Sequence, residues 1–302
     1  MNDFWIILTA SLVAINSAIL GTFLILRKMA MIGDAISHAV LPGIVIAYFL
    51  TDSRASFPML MGAAASGMLV TYFIQFFNKR VKLQTDASIG ISYTFLFAVG
   101  IVLISLFGSD VDLDQECVLY GEIAYASIDG AYFFGRNMGP RQVWILGTTL
   151  IIVLIGVGVG YKKLILTTFD EGFAAALGIN VVFWQYYLMA GVSLTTVVSF
   201  ESVGAVLVIA FISGPPATAY LLTENFLKTI KLAIVFGISA SILGYYTSVW
   251  LNGSIAGAIA SVIGIQFALA FTYVQIRKKM SVAALIDDGY TATNELAQRE
   301  EP

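Results

Sequence analysis

An aspartate and a histidine lie four residues apart in the stretch MIGDAISHAVLPG, at Asp34 and His38. On a helix this spacing places both side chains on one face, one turn apart. A carboxylate beside an imidazole makes a ligand pair that suits manganese, zinc or iron(II). Both groups must lose their protons to bind a cation, so acid would weaken the site. The spacing therefore predicts a metal site at Asp34 and His38, the only histidine of the chain.

Two structural roles account for the same spacing equally well. The pair could form a neutral hydrogen bond that ties two helices together, or Asp34 could cap a helix that begins near Ala35. Glu201 is a secondary candidate ligand, because it stands between two long apolar stretches. It could be an entrance carboxylate or only a turn charge at the membrane surface.

The surroundings of these residues are strongly apolar. The chain has 302 residues, of which 59% are hydrophobic and 12% are charged, and the charges stand in short clusters between long uncharged stretches. A soluble domain carries about twice this charged fraction. A membrane helix needs about 20 apolar residues, and an ionisable side chain at its centre costs about 2.5–3.5 kcal/mol. An ionisable residue in such a setting is therefore a functional candidate.

We predict an all-α polytopic membrane protein with about nine transmembrane helices. The predicted spans are 4–26, 30–50, 57–77, 88–107, 143–160, 182–200, 203–222, 230–250 and 254–276. Because only Glu201 and Ser202 separate the sixth span from the seventh, eight or ten spans stay open. The first span is expected to be retained, since the basic pair Arg27–Lys28 follows it rather than precedes it.

The basic residues predict an orientation in the membrane. With the C-terminus in the cytoplasm, thirteen of the sixteen basic residues fall in cytoplasmic segments. Only Arg54, Arg136 and Arg141 fall outside. This bias places the N-terminus outside and the C-terminus inside. The basic residues sit at span ends and form no continuous basic face, so nucleic acid is not an expected partner.

Two connections between the predicted spans are long. Residues 108–142 are expected outside; they are acidic, and their apolar stretch 118–134 is expected to form a short surface helix. The connection at about 161–181 is expected in the cytoplasm, where Asp170 and Glu171 precede an apolar run and Gly178 follows it. Acids before a helix and glycine after it are boundary signals, so this connection should carry a short helix. Residues 1–280 are thus one transmembrane domain, and 281–302 a polar cytoplasmic tail.

Proline and glycine occur within two spans, as Pro42–Gly43 and as Gly214–Pro215–Pro216. We expect them to interrupt the helices, and irregular backbone at membrane depth is tolerated where it is buried or lines a cavity. Other glycines, such as Gly62 and Gly158, are expected to let helices approach closely.

Three segments resemble the permease subunits of the zinc, manganese and iron ABC importers, the ABC-3 family. Residues 26–43 are similar to the family's signature, an arginine-containing start followed by GDA-x-SHA-x-LPG. The segment FDEGFAAALGI at 169–179 resembles the helix that docks on the ATPase. Residues 202–219 resemble a third family segment, with two prolines here in place of one. With the number of spans, the resemblance covers nearly the whole chain to about residue 280.

The resemblance implies a type II importer permease. Two permease subunits would form the pathway, two cytoplasmic ABC ATPases would lie beneath them, and an extracytoplasmic binding protein would deliver manganese, zinc or iron. It implies that Asp34 and His38 are a transient site for the transported metal, with no permanently bound cofactor. The docking residues would be Asp170, Glu171, Ala175 and Gly178, and the location a bacterial inner membrane.

The sequence disfavours an enzyme and leaves other transport mechanisms open. It has no GxxxxGK[ST] loop, so ATP hydrolysis would belong to a separate subunit. A proton-driven metal carrier would also use the Asp34/His38 pair, but it would need no docking helix. An ABC permease for a metal chelate would need no ionic ligand pair. A membrane subunit without transport would be indifferent to the loss of Asp34.

Overall fold

In the computed structural model the described residues are 2–51, 56–107, 123, 130–133 and 136–299. They form ten helices and one two-stranded antiparallel sheet. The helices are α1 (Asn2–Leu26), α2 (Ile32–Thr51), α3 (Ser56–Arg80), α4 (Thr85–Phe107), α5 (Arg141–Phe169), α6 (Glu171–Ala176), α7 (Val181–Val203), α8 (Ala205–Leu222), α9 (Phe226–Leu251) and α10 (Ile255–Arg299). The strands are β1 (Gly130–Phe133) and β2 (Arg136–Pro140).

Nine helices of the described chain, all except α6, are long and apolar enough to cross a membrane. The nine predicted spans are therefore confirmed. The sixth and seventh spans are separate helices, α7 and α8, because Gly204 between them has a φ of +79° that ends the helical run. Glycine adopts this backbone conformation without the penalty that a side chain would bring.

Two connections differ from their predicted outlines. Helix α5 continues to Phe169, so the first part of the predicted 161–181 connection is its last turns. Of the predicted surface helix at 118–134, most lies outside the described residues, and its end, Gly130–Phe133, is a strand rather than a helix. That strand pairs with Arg136–Pro140, the strand that follows it directly along the chain, and hydropathy does not distinguish such a pair from a short helix.

The helices form an inner group and an outer group. Of the apolar windows of α1 and α2, 72% and 61% are buried inside the bundle, against 22% for α4, α5 and α10. Helix α2 packs between α3 and α4, whereas α1 packs against α5, α8 and α9. The inner position of α2 matters for function because this helix carries Asp34 and His38.

Glycine allows close helix contacts at some of the predicted positions. A Cβ atom added at Gly43 of α2 would collide with the carbonyl oxygen of Gly62 of α3, and one added at Gly62 would collide with that of Gly43. A Cβ atom at Gly158 would meet no atom within 4 Å. The predicted role is confirmed for Gly62 and wrong for Gly158, whose face of α5 is exposed.

The prolines do not break their helices. Pro42 lies inside α2, and Pro215 and Pro216 lie inside α8, each within an unbroken helical run. The predicted interruptions are therefore wrong. Each proline still lacks an N–H donor, so the carbonyl four residues earlier loses its helical hydrogen bond. Membrane helices tolerate such positions where neighbouring helices cover the backbone, and all three prolines are buried.

Candidate metal site and its link to the short helix

Helix α2 places Asp34 and His38 on one face. Asp34 lies in the first helical turn, and its Oδ1 is 3.5 Å from Nε2 of His38. Because α2 begins at Ile32, Asp34 is inside the helix and does not cap one that starts at Ala35. Because both residues belong to α2, their mutual contact does not tie two helices together either. The structure therefore contradicts both structural alternatives: Asp34 does not cap a helix that begins at Ala35, and the Asp34–His38 contact does not join two helices.

The separation of the two side chains suits two ligands of one ion. Two metal–ligand bonds of about 2.1 Å that meet at a tetrahedral angle hold their donor atoms about 3.4 Å apart. The observed 3.5 Å between carboxylate oxygen and imidazole nitrogen is close to this value. Little movement of either side chain would be needed for both to coordinate a single cation.

Two aromatic residues of α4 hold the imidazole in place. The ring centroid of His38 is 5.7 Å from that of Tyr93 and 5.6 Å from that of Phe97, with an edge-on arrangement for Phe97. Such contacts restrict the rotation of the ring and favour one orientation. The sequence analysis missed these two residues. Their spacing of four on a predicted helix was the available signal, but nothing local relates α4 to α2.

Pro42 adds a backbone feature to this face of α2. It follows His38 by four residues and has no N–H, so the His38 carbonyl has no helical hydrogen-bond donor. An unpaired carbonyl oxygen is a hard ligand for cations when it is accessible. The motif H-x-x-x-P contains this signal, although the sequence analysis related Pro42 only to a helix break.

Asp34 and His38 alone would give a cation only two side-chain ligands. Within the described residues no group of three or more His, Cys, Asp or Glu side chains comes together. The side chains of His38 and Asp34 are 36% and 32% exposed, although they belong to an inner helix. Both side chains are thus open to a group that the described chain does not supply.

Glu201 is not brought to this site. It lies in the last turn of α7 with an exposed side chain. Because the spans alternate in direction, the end of α7 and the start of α2 lie at opposite ends of the bundle. The structure therefore separates Glu201 from Asp34 and His38.

The short helix predicted around 170–178 is present as α6. The Asp170 carboxylate accepts a hydrogen bond of 2.8 Å from the N–H of Phe173, which satisfies one unpaired donor of the first turn. Gly178 ends the segment with a φ of +75°. Of the residues predicted to dock, all four (Asp170, Glu171, Ala175 and Gly178) are exposed. The apolar side chains of Phe173 and Leu177 are more than half exposed, as expected of a contact surface.

Arg27 connects this region to the helix pair α1–α2. Its Nε donates to Thr168 Oγ1 and its Nη2 to Thr167 Oγ1, both at 3.0 Å, across about 140 residues of sequence. Burial lowers the pKa of Arg27, and the nearby Glu171 carboxylate opposes that effect. Nothing in the sequence indicated these contacts of Arg27, because its two threonine partners are distant along the chain.

In the described part of the chain, nine apolar helices, an inner helix with an Asp–His pair and a capped short helix with an exposed apolar side are the features of a polytopic transport protein. The comparisons with known proteins agree with this class. The model of the ABC 3 transport family matches residues 3–275. The chain belongs to this family.

Its relatives include membrane proteins of a manganese transport system and of a zinc transport system. The manganese transport system membrane protein MntD of Bacillus subtilis (strain 168) is 44% identical over 269 residues, covering 89% of this chain and 91% of the relative. The zinc transport system membrane protein TroD of Treponema pallidum (strain Nichols) is 39% identical over 268 residues, covering 89% and 73%. Among solved structures, PsaBC from Streptococcus pneumoniae in complex with Fab matches with a TM-score of 0.70 and 32% identity, covering 88% and 89% of the two chains.

Proposed function

We propose that this chain is the membrane-spanning permease subunit of an ATP-driven importer for a divalent transition-metal ion. The observation that carries the proposal is the Asp34–His38 pair, whose donor atoms are 3.5 Å apart on an inner helix. An ionic pair in an apolar bundle is expensive unless it has a function. Relatives that transport manganese and zinc support a metal cargo.

The partners follow from what the chain contains and lacks. Membership of the ABC 3 transport family supports a cytoplasmic ATPase, and the sequence has no phosphate loop of its own. Helix α6, with its exposed Phe173 and Leu177, is the proposed docking element. An extracytoplasmic binding protein would deliver the metal. A second permease subunit would cover the partly exposed side chains of Asp34 and His38 and supply further metal ligands.

In the proposed mechanism the Asp34 carboxylate and the His38 imidazole replace part of the ion's hydration shell. The unpaired His38 carbonyl is a further oxygen on the same helix. A site with few ligands from each subunit holds its ion weakly, which suits release into the cell. Movement of α6 on ATP binding would reach the α1–α2 turn through the Arg27 contacts with Thr167 and Thr168.

The competing transport mechanisms have less support. A proton-driven carrier would use the same pair, but it does not account for a capped helix with an exposed apolar side. A permease for a metal chelate does not require a carboxylate and an imidazole at ligand distance. We place the chain in a bacterial inner membrane with nine crossings, its N-terminus outside and its C-terminus in the cytoplasm.

The test is metal uptake in cells that express the chain with its partner subunits, at matched membrane levels. We expect His38→Ala to reduce uptake of the transported metal more than tenfold, because it removes the imidazole, one of the two proposed side-chain ligands. Manganese, zinc and iron(II) are measured in parallel, so the affected metal identifies the cargo. Ser37→Ala is the matched control, since the Ser37 hydroxyl only donates back to the Gly33 carbonyl of the same helix.

Unchanged uptake of all three metals in His38→Ala would contradict the proposed metal site. An equal loss in Ser37→Ala would show damage to α2 rather than loss of a ligand.

A further inference from the structure

A cavity of about 270 Å³ lies at the end of the bundle where the α1–α2 turn meets the end of α3 and the start of α6. The ionisable residues that line it are Arg27, Lys28, Lys79 and Glu171. Three cations thus face one carboxylate. The metal site does not use this cavity.

The positive charges around the cavity lack ion-pair partners. Within the described chain the only contact of ion-pair length joins Asp34 and His38. Arg27 donates to the neutral hydroxyls of Thr167 and Thr168, and Lys79 donates to Gln185 Oε1 at 3.2 Å. Lys28 and Lys79 are exposed, but Arg27 is partly buried, and a partly buried cation without a close counter-charge is costly. Burial lowers the pKa of Arg27, and the Glu171 carboxylate offsets only part of that effect.

A second, independent feature points to a missing acceptor. Gln75 lines the cavity and is 5% exposed, and its Nε2 donor has no hydrogen-bond partner. A buried amide donor without an acceptor destabilises the fold. An anionic oxygen inside the cavity would give the three cations a counter-charge, and a rotation of the Gln75 side chain would let its amide donate to the same anion.

We propose that this cavity binds a phosphate group, supplied by the headgroup of an anionic phospholipid or by free phosphate. Guanidinium and ammonium donors around one oxygen-rich anion make strong, charge-assisted hydrogen bonds. The cavity lies where α1 and α3 end and α2 and α7 begin, which is the level of lipid headgroups. Its volume is slightly below the roughly 300–1,000 Å³ of sites for drug-sized ligands, so it suits a headgroup phosphate.

A bound phosphate would have a mechanical consequence. Glu171 belongs to α6, whereas Arg27 and Lys28 belong to the α1–α2 turn. An anion between these cations would screen their mutual repulsion and hold the turn against α3, while the Glu171 carboxylate of the short helix would oppose its binding. This site does not depend on the identity of the transported metal.

The test measures lipid and phosphate binding to the full-length chain in detergent, by native mass spectrometry and by thermal unfolding. The probes are phosphatidylglycerol, zwitterionic phosphatidylcholine and inorganic phosphate. We expect phosphatidylglycerol to remain bound and to raise the unfolding temperature, and phosphatidylcholine to do neither. Lys79→Gln and Lys28→Gln should each weaken binding about tenfold. Lys162→Gln, which removes an exposed cation outside the cavity, is the matched control.

Gln75→Leu separates binding from folding. Without phosphate or anionic lipid this variant should unfold at the wild-type temperature or above, because it removes a buried unpaired donor. It should nevertheless gain less stability from the anion than the wild type does. Competition by inorganic phosphate would identify free phosphate as a sufficient ligand, and binding of the lipid alone would identify the headgroup.

Three results would overturn the proposal: no retained anion on the wild type, equal stabilisation by phosphatidylcholine, or equal loss of binding in Lys162→Gln. The first would leave an acidic side chain of a partner subunit as the counter-charge.

Discussion

The Asp34–His38 pair could be predicted from the sequence, because it is a local feature. The residues that surround the pair could not. Four-residue spacing on a helix brings the two side chains together, and in the structure Asp34 Oδ1 is 3.5 Å from His38 Nε2. Tyr93, Phe97 and the contacts of Arg27 depend on helix packing across long stretches of chain. No local pattern encodes which helix face meets which. The metal role of the pair itself remains a prediction.

At the same scale, the reciprocal contact of Gly43 and Gly62 leads to a stability prediction. Gly62→Ala should destabilise the protein by about 1–3 kcal/mol, because the added methyl group meets the backbone of α2. Thermal unfolding in detergent measures the change. Gly158→Ala is the control: its methyl group meets nothing within 4 Å, and alanine favours the helix by about 1 kcal/mol. A tolerated Gly62→Ala would show that α2 and α3 separate more easily than their contact indicates.

Among the elements, the nine spans were predictable because each is a long apolar run, and several of their ends were too, but the end of α5 was not. Helix α5 exceeds its predicted span because helical structure continues through polar residues once it has begun. Lys163 shows how: its Nζ lies 5.3 Å from the centre of the Trp184 ring, so its charge is accommodated at the end of the bundle. Hydropathy therefore predicts which residues lie in the membrane, but it does not predict where a helix ends beyond the membrane.

The cap of α6 allows a prediction about coupling. Asp170→Ala should destabilise this short helix by about 1 kcal/mol, because the Phe173 N–H loses its acceptor. If α6 docks on the ATPase, metal uptake should fall while the ATPase alone keeps its activity. Asp170→Asn retains a capping oxygen and should retain most uptake.

A cap on a helix without a docking role provides the control for that experiment. Asn225 accepts from the N–H of Lys228 at the start of α9, so Asn225→Ala loses a comparable contact. Equal uptake in Asp170→Ala and the wild type would argue against α6 as the coupling element.

For the whole molecule, the burial gradient agrees with a bundle that has lipid around it. Helices α4, α5 and α10 are mostly exposed in their apolar windows, whereas α1 and α2 are mostly covered. Composition alone predicted a membrane protein, since apolar residues dominate every span. It could not predict which helices are innermost, because all nine are similarly apolar.

The orientation of the molecule is a prediction that cysteine labelling can check. Cys117 is the only cysteine, and it lies outside the described residues in the connection predicted to face outward. We expect a membrane-impermeant maleimide to label Cys117 in intact cells. In a Cys117→Ser background, Thr293→Cys should be labelled only after the membrane is opened. The reverse pattern would invert the topology and place α6 on the outside.

The partly exposed face of α2 also bears on how the protein is made. A newly inserted copy presents a carboxylate and an imidazole that are about one third exposed on an otherwise apolar bundle. The apolar surroundings solvate these groups poorly, so the copy remains energetically penalised until another surface covers them. The same two residues that we propose for a passing ion would thus also favour assembly, and would mark an unassembled chain for membrane proteolysis.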